Sequence, residues 1–134
     1  MANGNPEVEY QDVSDNIRHY GSMRFVLLTL FGTLSATIMA ALFLGMNPPP
    51  TPTKTVLKCL GIILVVAFGL MDQRASEYWS VFWKRAVKLE TQLHYSQYKA
   101  RPRRQTISIH NATRLLYVAV LVFWIIALAK PDWI

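Results

Sequence analysis

A lone cysteine, Cys59, makes an intrachain disulfide impossible, and its place inside an apolar run suits a small packing or lipid-facing residue. Acidic residues are also scarce, 8 Asp and Glu against 14 Lys and Arg, for a net charge of +6 and a pI near 9.7. No Gly-rich phosphate loop or nucleophile motif is present. His19, His94 and His110 lie far apart and outside the apolar runs, with no Cys or paired carboxylate at ligand spacing, so neither a metal centre nor a haem site is indicated. No charged residue stands in the middle of an apolar run, where proton relays and transport sites show themselves. These absences argue against an enzyme and against a coupled transporter. They leave no catalytic, cofactor-binding or metal-ligating residue to name.

What the sequence has in abundance is apolar character. A hydrophobic fraction of 52% with a mean hydropathy of +0.22 is high for a small soluble chain, and it is concentrated in three blocks. Each block approaches the roughly 20 residues that a helix needs to cross a bilayer. The expectation is an all-α integral membrane protein with three transmembrane helices, at about residues 23–46, 55–71 and 113–129. Residues 1–22 carry Glu7, Glu9, Asp12 and Asp15 where a secretory signal would be basic, so the first block reads as a retained span. The chain then divides into a tail and surface segment, 1–22, and a three-span membrane domain, 23–134.

Met1 to Val13 shows no periodicity that would bury a face and reads as a tail, with Ser14 or Asp15 as a helix cap before surface turns from Asn16 to Ser22. In the first span, Thr29, Gly32, Thr33, Ala36, Thr37 and Ala40 recur at intervals of three and four and share one helix face. Small, weakly polar faces let helices pack closely in lipid, and a water-filled pore is the sharper alternative. The run Asn47-Pro-Pro-Pro-Thr-Pro-Thr breaks any helix and reads as a stiff connector. Lys54 and Lys58 follow near the start of the second span and are expected to snorkel toward headgroups. Asn111 is a candidate cap for the third span, with Tyr117 and Trp133 as interfacial anchors.

After Gly69 there is no Gly or Pro until Pro102, so the second span is expected to continue as one helical stalk over 72–98, followed by a basic loop over 99–111. Along it Ala75, Trp79, Phe82, Ala86, Leu89 and Leu93 follow heptad spacing, the signature of a coiled coil. Lys84, Arg85, Lys88 and Glu90 fall off the stripe as solvated flanks. In a chain with no other soluble core such a stripe needs cover, and the favoured cover is the same stripe on another copy. Packing on the chain's own segment Asn16 to Ser22, or lying flat on the membrane, are the alternatives. Asp72 stands on the stripe at the span end, with Arg24 and Arg114 at matching span ends as partners for an interfacial ion cluster; separate snorkelling to water is the alternative.

Lys and Arg crowd between the second and third spans, which places that segment and the N-terminus in the cytoplasm and the C-terminus outside. Arg101, Arg103 and Arg104 suit anionic lipid headgroups, and a nucleic-acid partner is not needed to explain them.

Gly69-Leu-Met-Asp-Gln-Arg74, followed by Trp83, Arg85-Ala86 and Leu89-Glu90, resembles a segment in a set of small bacterial inner-membrane proteins, in which a span exits through Asp-x-Arg into a helix ending in a Leu-Glu pair. More loosely, the three-span layout resembles the RipA-type octameric membrane proteins. The likeness covers roughly a quarter of the chain. It implies a bacterial inner membrane and an oligomer, marks Asp72, Arg74 and Glu90 as motif positions, and carries no activity. Three functions follow as expectations: a non-enzymatic scaffold or sensor that self-assembles through its cytoplasmic helix, an oligomeric channel, or an accessory subunit of a larger membrane complex.

Overall fold

The computed structural model of the chain describes residues 5–44, 49–100 and 109–130. Within them lie three α-helices: α1 is Pro6–Phe43, α2 is Thr51–Leu93 and α3 is Ile109–Ala129. Each contains a stretch long and apolar enough to cross a membrane, as in a multi-pass membrane protein. Arg101, Arg103, Arg104 and Trp133, with Asn47 and Pro48 of the connector, lie outside the described residues.

The helix boundaries depart from the sequence reading in four places. α1 starts at Pro6 and not at Ser14. The Asn5 side chain accepts the Glu7 N–H at 3.0 Å, Pro6 occupies the first helical position where its missing donor costs nothing, and Glu7 and Glu9 face the positive end of the helix dipole. α2 starts at Thr51, with Pro52 tolerated in its first turn for the same reason. It stops at Leu93, before the expected Tyr98. His94 adopts φ 57°, and the Tyr95 N–H reaches back to the Glu90 carbonyl at 3.1 Å, the six-to-one bond of a Schellman stop. The helix thus ends on a left-handed histidine, with no glycine or proline to announce it. In α3, which starts at Ile109, Asn111 is a helical residue and not the residue before the first turn.

The chain divides into two compact units. The first comprises Met1–Phe25 and Gln73–Thr106. Its core is Val13 and Ile17 of α1 against Ala86 and Leu89 of α2, with Tyr10, Trp79, Phe82, Trp83 and Tyr98 packed around them. Removing a Val, Ile or Leu side chain from water contributes about 1.5–3 kcal/mol each. Tyr20 stacks on both Tyr78 and Phe82, with centroids 5.4 and 5.7 Å apart. Arg85 pairs with Glu9 across the same two helices.

The second unit comprises Val26–Asp72 and Ile107–Ile134. Phe31, Ile38 and Leu42 of α1, Val65 of α2, and Tyr117, Trp124 and Ala127 of α3 form its core. Trp124 is fully buried, and Gly61 of α2 is what admits it, because a Cβ there would stand 2.5 Å from the indole.

Candidate functional site

The heptad stripe finds its cover inside the chain. Ala75, Ala86 and Leu89 are buried and Trp79, Phe82 and Leu93 partly so, with Val13 and Ile17 of α1 packed on the Ala86 and Leu89 end. The second copy favoured for this stripe is therefore not required to cover it. The reason lies in residues 6–13, taken as tail: Tyr10, Val13 and Ile17 stand at steps of three and four and make a matching apolar edge once α1 begins at Pro6.

Glu90 is the second departure. Read as a solvated flank, it is fully buried. Its Oε1 accepts the Tyr98 N–H at 2.7 Å and the Tyr10 hydroxyl at 3.1 Å, and its Oε2 accepts the Lys99 N–H at 3.0 Å. The turn after α2 closes with Ala100 N–H on the Ser96 carbonyl at 3.0 Å, so Glu90 serves the exposed donors at the start of that turn as a cap would. A buried carboxylate is tolerable only when so bonded. Burial first, and then the Glu90 carboxylate, push the Tyr10 hydroxyl up to about 12, a rise that Ser14 alongside opposes weakly. Sequence reasoning had one signal for this node, the adjacent Leu89-Glu90 pair, and none for Tyr10.

In the second unit, Lys58 does not reach outward to solvent. It is 4% exposed, and its Nζ donates to the Ala127 carbonyl at 2.7 Å. The last four carbonyls of a helix lack intrahelical partners, and a cation at that end is also favoured by the negative end of the helix dipole, so Lys58 clamps α2 to the end of α3. Lys54 is half-buried.

The small face of α1 behaves the other way from the heptad stripe. Thr29, Gly32, Thr33, Ala36 and Thr37 are exposed and Ala40 is half-buried, because α1 turns Phe31, Ile38 and Leu42 to its own core. A Cβ added at Gly32 would meet nothing within 4 Å. The Thr33 and Thr37 hydroxyls bond back to the Thr29 and Thr33 carbonyls at 3.0 and 2.9 Å.

Of the residues expected to cluster at the span ends, Asp72 is buried, Arg24 half-buried and Arg114 exposed. Among the described residues no group of three or more His, Cys, Asp or Glu side chains is placed to hold a metal ion. Set against protein-family models, curated proteins and solved structures, the chain matches none of them.

Proposed function

We propose that the chain is a non-enzymatic scaffold of the bacterial inner membrane that self-assembles, and that the seam of assembly is the small face of α1 rather than the heptad stripe of α2. One observation carries this reading. The stripe is covered by the chain's own α1, while Thr29, Gly32, Thr33, Ala36 and Thr37 stand exposed around an open notch at Gly32. Small residues on an exposed face of a span let a second backbone approach closely, where dispersion and packing drive association in lipid. A pore lined by the same threonines has less support, since the Thr33 and Thr37 hydroxyls are engaged by their own helix. In this reading the N-terminus and the segment joining α2 to α3 are cytoplasmic, on the asymmetry of Lys and Arg.

The test is the mass of the purified protein in detergent. A discrete homo-oligomer that Ala36→Leu converts to monomer, with insertion and helicity retained, is the expected result. A wild-type monomer would exclude self-assembly and favour an accessory subunit. Single-channel steps in planar bilayers that vanish in Thr33→Val would favour the pore.

A further inference from the structure

Within the first unit a partly open cavity of about 380 Å³ is lined by Tyr10, Gln11, Ser14, Arg18, Gln97 and Tyr98. We propose that it binds a phosphate group, carried either by a lipid headgroup or by a small soluble phosphate ester. Gln11, Ser14 and Arg18 stand at steps of three and four on α1 and so line one face of the helix. Gln97 and Tyr98, in the turn that Glu90 holds, close the other side.

Every polar side chain on this lining carries a donor, and none is a carboxylate. Arg18 is the one charged side chain among the six, and it presents a guanidinium fork. Gln97 accepts a long contact from the Tyr10 hydroxyl at 3.4 Å on its amide oxygen, which leaves its NH₂ to donate. The Glu90 carboxylate does not line the cavity, and its oxygens are taken up by Tyr98, Lys99 and Tyr10. A cation would therefore meet Arg18 with nothing on the lining to offset it.

Ser14 belongs to the cavity wall and is 9% exposed, with its Oγ buried beside the Tyr10 hydroxyl. A guanidinium on one wall and an amide on each offer donors in more directions than the two coplanar oxygens of a carboxylate can use, whereas a tetrahedral phosphate can take them up. The volume exceeds what a bare phosphate fills, and the Tyr10 and Tyr98 rings offer an apolar wall to a glycerol or similar carrier. Asp15 already accepts from Arg18 at 2.7 Å and so competes with the ligand.

The experiment uses the full chain in detergent and phosphate-free buffer. sn-Glycerol 3-phosphate is titrated calorimetrically, and phosphatidylglycerol retention is followed by native mass spectrometry. Saturable binding of at least one probe is expected, weakened about tenfold by Arg18→Gln and a few-fold by Gln11→Ala, and unchanged by Arg74→Gln on the exposed surface of the same unit. Asp15→Asn is expected to tighten binding while Asp12→Asn does not, a gain that loss of folding cannot mimic. Binding of glycerol phosphate would identify a soluble source as sufficient; retention of the lipid alone would identify the headgroup. No saturable binding of either probe, or equal losses for Arg18→Gln and Arg74→Gln, would overturn the proposal.

Discussion

Gly61 and Trp124 are fitted to one another: a methyl group in place of the Gly61 hydrogen would stand 2.5 Å from the indole Cε2 and 2.6 Å from Cδ2. The indole is fully buried and has no room to withdraw. Gly61→Ala is therefore expected to destabilise the second unit by about 1–3 kcal/mol through overpacking. Gly32→Ala, with open space around it, is expected to leave thermal unfolding of the monomer unchanged. Unfolding in detergent, followed by tryptophan fluorescence, compares the two.

Lys58→Met keeps the length of the side chain and removes its hydrogen bond to the Ala127 carbonyl. A bond to a charged donor is worth about 1.5–3 kcal/mol, and relief of the cost of burying the ammonium offsets part of it. The variant is expected to loosen the end of α3 while leaving its middle protected. Hydrogen exchange at the amides of the last turn of α3 reads the effect, and unchanged protection there would show that Lys58 clamps nothing.

In the first unit, Leu89→Ala removes a nearly inaccessible side chain and is expected to cost about 2–5 kcal/mol. Glu90→Gln places an amide where two backbone donors need acceptors, and is expected to cost about 1–3 kcal/mol and release the turn at 96–100. Glu77→Gln, on an exposed side chain, is the matched control within about 0.5 kcal/mol. Limited proteolysis at that turn distinguishes release of the segment from general unfolding.

Tyr10 links this node to pH. Its phenol is held protonated up to about 12 in the folded chain against an ordinary value of 10.0. A raised folded value means that the native state binds the proton more tightly, so the Tyr10 contribution is complete below pH 10 and is lost as pH rises toward 12. The phenolate absorbance missing from Tyr10→Phe, obtained by difference from the wild type, is expected to titrate near 12. A midpoint near 10 would mean that neither the burial of Tyr10 nor its contact with Glu90 persists in solution.

His94 occupies left-handed backbone space at φ 57°, which β-branched residues avoid. His94→Val is expected to cost about 1–2 kcal/mol, and His94→Asn to be tolerated. Chemical denaturation of the full chain in detergent measures both.

Much of this architecture is legible in the residues. Apolar runs long enough to cross a bilayer mark out all three helices, and the stripe from Ala75 to Leu93 runs along residues of α2 that are buried or half-buried. Its partner was the obscure part, because Tyr10, Val13 and Ile17 supply too few apolar residues to register as a periodic signal amid the acidic residues around them. Glu90 and Lys58 were misplaced for a common reason. Charge type alone assigns both to solvent, and only the orphan donors after α2 and the orphan carbonyls ending α3 give them work inside. The stop at His94 was hidden because left-handed geometry there is imposed by the Schellman bond and not by glycine.

The back-bonded hydroxyls of Thr33 and Thr37 have one more consequence. With each proton turned onto its own helix, what these residues show a neighbour is largely their methyl groups, so the face is sticky in the manner of valine rather than of serine. Such a surface holds by fit alone. It carries no lock against sliding a neighbouring helix along by one four-residue step, since threonine recurs at 29, 33 and 37. The single break in that translational sameness is the notch at Gly32, and the register of any helix seated there hangs on that one missing side chain.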